Sequence, residues 1–340
     1  MENKEKFKPD PELRLMDQVR QVMRYHHYAY RTEKTYWDWI VRYIKFHDSK
    51  THPKDMGKSE IEAFLSHLAT HENVAASTQR QALNAIVFLY HNVLDMKIDG
   101  LIEPVKAKRH RRPPVVMTQS EVRRVFAQMQ GGHLLMARLL YGSGLRLMEC
   151  IRLRINDLDF ERSKVYVRSG KGGKDRVTVF SKSIQADLRI HIDKVKRLHD
   201  EDLSHGYGEV YLPGALGRKY RNAAREFRWQ YVFPSKKLSM DPRADTLRRH
   251  HVLESGLQKA VKTAADRAEI MKRVACHTFR HCFATHMLEN GVNIRVVQEL
   301  MGHADVKTTE IYTHVMEKDI SAVVSPLDAL SGIEETFISR

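Results

Sequence analysis

The stretch QELMGHADVKTTEIYTHV, residues 298–315, carries the features from which the rest of the chain is interpreted. Gly302 is typical of the residue that ends a helix, and Asp305 is typical of an N-cap that begins the next one. The stretch therefore predicts two helices joined by a tight turn. His303 lies in that turn, where a side chain is displayed for function rather than packed in a core.

The helix that begins at Asp305 has an apolar stripe. Val306, Ile311 and Val315 are expected to face inward, and Tyr312 lies beside them. A tyrosine in this position is ordinarily part of the core or its rim, so it gains meaning only from other features of the chain.

One such feature is the sequence CHTFRHCFATH, residues 276–286, which predicts a helix. His277 and Arg280 are three residues apart and can point at one ligand. An arginine holds phosphate oxygens in a fork and a histidine moves a proton near neutral pH, so the pair suits phosphate chemistry. A zinc site is the alternative. It would use Cys276, His277, His281, Cys282 and His286, but the stretch lacks a Cys-x-x-Cys motif and a glutamate between the histidines.

Two glycine-rich segments carry further basic residues. In GSGLRLME, residues 142–149, Arg146 follows a glycine break and opens a helix, whose N-terminus itself attracts anions. In GKGGK, residues 170–174, Lys171 and Lys174 are expected at the tip of a β-hairpin. This turn is not a P-loop, because no helix follows it.

The composition indicates a polyanionic partner. Among 340 residues, 57 Lys and Arg outnumber 42 Asp and Glu, which gives a net charge of +15. Such an excess points to nucleic acid or to an anionic membrane surface. No apolar run approaches a membrane span, the charged start is not a secretory signal, and 3 cysteines form no disulfide framework. We therefore expect a cytoplasmic, nucleic-acid-binding protein without a membrane segment.

Hydrophobic periodicity divides the chain into two helical domains. The expected segments are a helical bundle at residues 1–100, a basic linker at 101–116, a second domain at 117–318 with an irregular stretch at about 203–251, and a tail at 319–340.

Local signals place several elements within these segments. In the bundle, helices are expected to begin at Asp10-Pro11 and at the capping box of Ser59 and Glu62. The apolar stripe of the helix at this capping box is Ile61, Phe64, Leu65 and Leu68. Another helix, before it, has the apolar stripe Trp37, Ile40, Val41 and Ile44. The second domain is expected to begin with a capping box of Thr118 and Glu121 and to contain a hairpin of residues 164–167 and 176–179.

The order of the chemical motifs resembles that of the tyrosine recombinases, the phage integrase family. Gly-x-Gly-Leu-Arg-x-x-Glu, Gly-Lys-Gly, His-x-x-Arg, Leu-Met-Gly-His and a tyrosine follow one another in family order. The resemblance implies a mainly α fold with a small antiparallel β-sheet. It further implies that a helical core-binding domain and a catalytic domain form a two-domain clamp around duplex DNA, and that a homotetramer acts on two sites with its tails docked between protomers.

The resemblance implies a nucleophile and its proton partners. The hydroxyl of Tyr312 would attack a scissile phosphate and leave a 3′-phosphotyrosyl link and a free 5′-hydroxyl. A free phenol attacks poorly, so His277 is expected to act as the base. Lys171 would protonate the leaving oxygen, and Lys174 stays open as the alternative. The reaction would need no metal, nucleotide or other cofactor.

The remaining motif residues are expected to hold the phosphate. Arg146 and Arg280 would bind the non-bridging oxygens, on which negative charge grows in the transition state. His303 would donate a hydrogen bond to the same oxygens. Glu149 is expected to be a structural partner of the site.

A narrower resemblance covers residues 203–251, which look like the insertion that distinguishes integron integrases. Aromatic residues interleaved with arginines suit unpaired bases, and the expected stacking faces are Tyr220, Phe227, Trp229 and Tyr231. DNA contacts are expected from Trp229, Arg228, Arg248, Arg249, His250 and His251. The function implied is the integration and excision of gene cassettes at integron sites, on duplex DNA and on folded single-stranded hairpins.

Other basic residues are expected to follow the phosphate backbone. They are Lys34, Arg42 and Lys45 in the bundle and Lys106, Lys108 and Arg109 in the linker. Three alternatives stay open: a phage-type or chromosome-dimer-resolving recombinase that acts on duplex sites, a topoisomerase-like enzyme that relaxes supercoils alone, and a DNA-binding regulator with a vestigial site.

Overall fold

Helices make up most of this protein. The computed structural model describes residues 7–98, 100, 102–107, 114–168, 175–212, 216–220, 222–241 and 244–313. The chain divides into two units, one ending at Arg112 and the other beginning at Pro113. Within the described residues, no helix is both long and apolar enough to cross a membrane.

The described part of the first unit consists of helices around a mostly apolar core. They are α1 (Leu15–Tyr25), α2 (Tyr30–Phe46), α3 (Lys58–Thr70) and α4 (Ala76–Phe88), which continues into a π-helical turn (Leu89–Val93). The stripe predicted for the third helix is confirmed, because Ile61, Phe64, Leu65 and Leu68 are all buried.

Two predicted helix starts in this unit are wrong. The carboxylate of Asp10 accepts a hydrogen bond from the backbone N–H of Glu12 at 3.0 Å and closes a turn that lies before α1. At α3 the N-cap is Gly57, whose N–H donates to the carboxylate of Glu60 at 2.7 Å, and Ser59 is already inside the helix. Asp10 thus caps a turn that ends before the helix, and at α3 the capping carboxylate is Glu60 rather than Glu62, which instead accepts from the backbone N–H of Glu103 at 2.7 Å.

The buried face of α2 is rotated relative to the predicted stripe. Trp39, Ile40 and Tyr43 are buried, whereas Trp37 is only half-buried. The guanidinium of Arg20, on α1, lies 4.6 Å from the centroid of the Trp37 ring. A cation over an aromatic face keeps a large ring at the surface without exposing it fully, which explains the difference.

The start of the predicted linker packs on the bundle. The side-chain amide of Gln79, on α4, donates to the carbonyl oxygens of Leu65 at 2.9 Å and Val105 at 2.7 Å. Its oxygen accepts a hydrogen bond from the backbone N–H of Ala107 at 3.1 Å. The first basic residue of this segment, Lys106, is exposed.

The second unit is built on helices and two small sheets. Its helices are α5 (Gln119–Ala127), α6 (Gly131–Gly142), α7 (Leu147–Ile151), α8 (Gln185–Ser204), α9 (Leu216–Lys219), α10 (Glu254–Arg267), α11 (Cys276–Glu289), α12 (Ile294–Met301) and α13 (Lys307–Glu310). Most of α11 is buried, and it packs against α6. The capping box of Thr118 and Glu121 is confirmed at the start of α5.

Both sheets are antiparallel. Strands β1 (Leu158–Asp159), β2 (Lys164–Val167) and β3 (Arg176–Val179) form one sheet, and β4 (Ser239–Met240) and β5 (Leu247–Arg248) form the other. The predicted hairpin is confirmed residue for residue as β2 and β3, while β1 and the second sheet were not predicted. The expected mainly α fold with small antiparallel sheets is therefore confirmed.

Arg154, just after α7, connects the segment 203–251 to the rest of the unit. Its guanidinium donates to the carbonyl oxygens of Trp229 and Tyr211 and lies 4.6 Å from the centroid of the Tyr231 ring. The backbone N–H of Val232 donates to Leu153 at 2.8 Å beside it. The carbonyl of Tyr211 lies in irregular chain and that of Trp229 lies at the end of a short 3-10 helix (Phe227–Trp229), so a single buried arginine satisfies two acceptors outside the regular helices and strands.

Candidate active site

Arg146 opens α7 and is held by a carboxylate three residues further along. Its backbone N–H and its Nη1 both donate to Glu149, at 2.8 Å each. Its Nη2 lies 3.4 Å from the carbonyl oxygen of Gly302. This contact joins the first turn of α7 to the end of α12, so two motifs that are far apart in the sequence meet here.

Arg280, on α11, lies beneath the same place and is 1% exposed. Its guanidinium donates to the carbonyl oxygens of Gly144 and Met301 and to Nε2 of His303, the last at 3.1 Å. Burial lowers the pKa of Arg280 to about 9, with the charge of Arg146 adding to the effect. The group is still cationic at neutral pH, so two guanidinium charges converge on one site.

The contacts of His303 determine where its proton lies. A guanidinium only donates hydrogen bonds, so Nε2 of His303 must accept, and the ring proton must lie on Nδ1. Nδ1 then donates to the hydroxyl of Thr309 at 2.9 Å. Burial and the charges of Arg280 and Arg146 lower the pKa of His303 to about 4, so the ring is neutral at pH 7. In this conformation Nε2 is not the free phosphate donor that we expected.

Tyr312 lies just after α13 and is 2% exposed. It packs with Phe283 and Met301 in a small apolar cluster. Its hydroxyl is 3.0 Å from Nδ1 of His281 and is hydrogen-bonded to it. Burial raises the pKa of Tyr312 and lowers that of His281 to about 4, so the pair is a neutral phenol and a neutral imidazole at pH 7.

His281 is a site residue that the sequence interpretation assigned only to a possible metal site. The residue expected to act as the base, His277, is exposed, and its ring contacts that of His281 edge-on, with 4.6 Å between the ring centroids. Neighbouring protein atoms still displace part of the water around its imidazole, and this desolvation lowers the pKa of His277, with the charges of Arg280 and Arg146 adding to the effect. The four-residue spacing of the two histidines on α11 was the signal that both face the same site.

The predicted inward face of the last helix is partly wrong. Ile311 is 39% exposed, whereas Thr309 and Tyr312 are buried. Because α13 ends at Glu310, the periodicity of a longer helix does not apply to the residues after it. Val315, the third residue of the expected stripe, lies outside the described residues.

Glu149 is hydrogen-bonded to two arginines, and Nη1 of a third, Arg280, lies 3.9 Å from its Oε2. Besides Arg146, it accepts hydrogen bonds from Nη1 and Nη2 of Arg176 at 2.8 and 2.7 Å. Burial alone would raise the pKa of Glu149, but its hydrogen bonds and ion pairs with Arg176 and Arg146 outweigh that effect and lower the pKa to about 2. The carboxylate is thus ionised in the folded protein, and Arg176 is a second residue near the site that the sequence did not reveal.

The residues of the alternative zinc interpretation have other contacts. The sulfur of Cys282 accepts a hydrogen bond from the backbone N–H of Met117 at 3.2 Å. His286 is bonded to the hydroxyl of Tyr141 and to the carbonyl of Met117, both at 2.9 Å. Across the part of the chain that the structure describes, no three potential metal ligands converge.

The structure describes only some of the basic residues that were expected to contact the phosphate backbone of DNA. Lys34, Arg42 and Lys45 are exposed on α2, where Arg42 pairs with Glu72 at 2.6 Å. Lys108, Arg109, Lys171 and Lys174 lie outside the described residues.

In the segment 203–251, two arginines that were expected to contact DNA pair with carboxylates of the chain. Arg249 is a structural ion pair, because its Nε and Nη2 bind both oxygens of Asp202 and its Nη1 binds the carbonyl of Ser235. Arg248 pairs with Asp241 at 2.8 Å. These acids come from α8 and from the loop after β4, and nothing in the local sequence marked them as partners.

The other expected contacts in this segment differ in exposure. Arg228 is exposed and pairs with Glu226, whereas Trp229, His250 and His251 are half-buried. His251 donates from Nδ1 to the carbonyl of Val252 at 2.8 Å and packs edge-on against Tyr231.

Comparisons with known proteins show which family this chain resembles. The phage integrase family matches residues 115–319, and its N-terminal SAM-like domain matches residues 15–99. An "Integrase/recombinase" of Escherichia coli is 44% identical over 325 residues, covering 95% of this chain and 96% of the relative. Tyrosine recombinase XerA of Pyrococcus horikoshii is 33% identical over 242 residues, covering 70% of this chain and 71% of that protein.

Solved structures share the fold. The XerH site-specific recombinase bound to its difH substrate before cleavage superposes with a TM-score of 0.57 at 15% identity, covering 94% of this chain and 84% of that chain. The Tn1549 transposon integrase in complex with transposon right end DNA gives a TM-score of 0.52 at 13% identity, covering 95% of this chain and 99% of that chain. Together with the family match over most of the chain, these findings identify the protein as a member of the phage integrase family, the tyrosine recombinases, which cleave and rejoin DNA in site-specific recombination.

Proposed function

We propose that Tyr312 is the nucleophile and that Arg146, Arg280 and His303 hold the scissile phosphate. The supporting observation is the convergence of two arginines and a neutral histidine beside a buried tyrosine. The tyrosine oxygen forms a bond to phosphorus, the bond from phosphorus to the 5′ oxygen breaks, and the phenolic proton passes to His277, the proposed base. A second proton passes to the leaving oxygen, for which Lys171 is the proposed donor and Lys174 the alternative.

In the free chain this site is closed. Arg280 is 1% exposed and Tyr312 is 2% exposed. A phosphate therefore cannot reach the guanidinium of Arg280 or the hydroxyl of Tyr312 without a rearrangement. We propose that DNA binding uncovers both and frees Nε2 of His303 from Arg280. The imidazole then donates to a non-bridging oxygen after its proton moves to that nitrogen.

Replacement of the tyrosine hydroxyl tests this proposal. Tyr312→Phe removes one oxygen and leaves the ring in its apolar cluster, so DNA binding and folding should be retained. A nicked DNA substrate should trap the unmodified chain in an adduct that resists detergent, and the variant should give none. An adduct that persists in Tyr312→Phe refutes the assignment.

We further propose that the substrates are integron sites, including folded single-stranded hairpins of gene cassettes, on which a homotetramer assembles. The segment 203–251 supports this proposal. Of five buried side-chain polar atoms without a hydrogen-bond partner among the described residues, three are Nε1 of Trp229, Nε of Arg248 and Nε2 of His250. A buried polar group without a partner costs about 1–3 kcal/mol, so three in one segment favour a ligand that satisfies them.

Tyr220 is the clearest stacking surface in this segment. The residue is 50% exposed, and Nζ of Lys219 lies 5.4 Å from the centroid of its ring. Tyr231, which we also expected to stack on bases, is 6% exposed and packs in the segment's own core. An exposed ring beside a cation suits an unpaired base next to its phosphate.

A pair of variants at Tyr220 separates hairpin from duplex recognition. Tyr220→Ala should weaken binding of a hairpin with bulged bases by about 1–3 kcal/mol per lost stacking contact and leave binding of a linear duplex site nearly unchanged. Tyr220→Phe keeps the ring and should bind both substrates as the parent does. Both affinities are measured at one salt concentration, because phosphate contacts depend strongly on salt.

A recombinase that acts only on duplex sites is the second candidate. It is favoured by the similarity to tyrosine recombinase XerD of Listeria monocytogenes, which is 28% identical over 298 residues, 84% of this chain and 86% of the relative. Equal losses on hairpin and duplex in Tyr220→Ala, or no preference of the parent for a hairpin, would favour this candidate.

A further inference from the structure

We infer that Arg176, the first residue of β3, is a positioning residue that holds Arg146 and His303 in register around the phosphate. The inference rests on the proposed function of the site. Arg176 belongs to none of the motifs that carry the family resemblance, and its side chain is 8% exposed.

One side of Arg176 faces the start of α7. Its Nη1 and Nη2 donate to the two oxygens of Glu149, and the same carboxylate accepts from Nη1 and the backbone N–H of Arg146. A carboxylate with four donors on its two oxygens has little freedom to rotate. Arg176 therefore fixes the orientation of the Glu149 carboxylate, and this carboxylate in turn fixes the position of the Arg146 guanidinium.

The other side of Arg176 faces the end of α12. Its Nε donates to the carbonyl oxygen of Leu300 at 2.9 Å. Its side chain passes directly over Gly302, where a Cβ would lie 2.7 Å from Cδ of Arg176. Gly302 immediately precedes His303, so the arginine sets the position of the turn from which that histidine reaches the site.

A lysine cannot make both connections. The planar guanidinium offers a parallel pair of N–H groups to the carboxylate and a third N–H in the direction of Leu300, whereas an ammonium group is a single point charge on a flexible stem. Arg176→Lys keeps the positive charge beside Glu149 and removes the geometric link between α7 and α12. It is therefore the variant that separates positioning from charge.

A positioning role and a purely structural role differ in which constant they change. Arg146 and His303 act on charge that develops in the transition state, so their displacement slows chemistry at saturating DNA and leaves DNA affinity alone. Partial unfolding instead lowers the amount of active protein and affects binding to the same extent. The split between rate and affinity thus identifies the role.

The experiment compares Arg176→Lys with a matched control, Arg162→Lys. Arg162 precedes β2 in the same sheet and pairs with Asp159 at 3.5 Å, but its side chain is 73% exposed. We measure DNA affinity, the first-order rate of covalent adduct formation with the protein in excess, and thermal unfolding of each full-length variant. Arg176→Lys should form adduct about 10- to 100-fold more slowly at unchanged affinity, as expected for a displacement of about an ångström. Arg162→Lys should match the parent in both DNA affinity and the rate of adduct formation.

A neutral substrate provides the readout that a structural defect does not change. Replacement of the scissile phosphate by a methylphosphonate removes the negative charge that the guanidinium groups stabilise. On this substrate the rate of adduct formation by Arg176→Lys should lie closer to that of the parent. A folding defect would instead slow adduct formation equally on both substrates.

Three outcomes overturn the inference: a rate in Arg176→Lys within twofold of the parent, an equal loss on both substrates, or a rate loss matched by a loss of affinity. A parent chain that forms no Tyr312-dependent adduct would instead refute the proposed function. The two failures are therefore distinguishable.

Discussion

Replacement of Gly302 by alanine measures how tightly the end of α12 is constrained. Gly302 has a φ of +63°, in the left-handed region that glycine adopts at a lower free-energy cost than residues with a Cβ. A Cβ at this position would lie 2.7 Å from Cδ and 3.3 Å from Nε of Arg176. The substitution therefore combines a backbone cost with a steric one.

The two costs can be worked out separately. The left-handed conformation costs a residue with a Cβ roughly 1–2 kcal/mol. Displacement of a packed side chain by an added methyl group costs about 1–3 kcal/mol more. In a unit of this size, 1 kcal/mol lowers the melting temperature by about 2–4 °C. In Gly302→Ala the free energy of unfolding is expected to fall by the sum of the two costs.

Gly291 provides the matched control. It has a φ of +79°, and a Cβ there would meet no atom within 4 Å. Gly291→Ala should therefore carry the backbone cost alone, and its melting temperature should fall by about 2–8 °C. The difference between the two variants isolates the contact with Arg176.

Thermal unfolding and adduct formation are measured on the same preparations. Gly302→Ala should melt about 2–12 °C below Gly291→Ala and should form the covalent adduct more slowly. Equal melting temperatures would show that Arg176 moves aside without cost. That result would refute the view that the arginine and the turn are rigidly fitted to each other.

Other measurements test the chemistry and the buried groups. DNA cleavage should survive EDTA, because arginine and histidine are proposed to handle the phosphate, and loss of cleavage restored by zinc would contradict this. The pKa of His303 is about 4 in the folded chain against an ordinary 6.5, so the unfolded chain binds more protons in between and stability should fall as the pH drops from about 6.5 to about 4. Thermal unfolding of His303→Gln should show a weaker decline over that window, and parallel curves would count against the assignment. The pKa of Glu149 is about 2 in the folded chain against an ordinary 4.5, so its contribution to stability should be lost only as the pH falls from 4.5 to about 2. All three cysteines are buried, so a thiol reagent should label the native chain slowly and the denatured chain at once.

Short-range signals in the sequence predicted much of this structure. The strands of the hairpin, the stripe of α3 and the capping box at Thr118 depend on residues a few positions apart, and the structure has all of them. The motif order placed Arg146, Arg280, His303 and Tyr312 in one site, and the structure brings these residues together. Glu149 was expected to be a structural partner, and it pairs with Arg146.

What the sequence missed depends on contacts between distant segments. Arg176 meets Leu300 across 124 positions, and His281 meets Tyr312 across 31, so no local pattern reveals either contact. Arg249 looked like a phosphate ligand because its partner Asp202 lies 47 positions away. A basic residue read by itself always looks available to DNA, and only the fold shows which carboxylate has already neutralised it.

The contact of Met117 with α11 has a consequence for synthesis of the chain. Met117 precedes α5, at the start of the second unit, and its backbone bonds to Cys282 and His286 across 165 and 169 positions. At a translation rate of about 5–20 residues per second, a segment of 165 residues takes roughly 8–33 s to emerge from the ribosome. The first unit ends at Arg112, so all of its residues have been synthesised before this interval begins. The bundle is therefore expected to fold on the ribosome while the catalytic unit waits for α11, and an arrested chain that ends before Cys276 should expose a protease-resistant bundle followed by a protease-sensitive remainder.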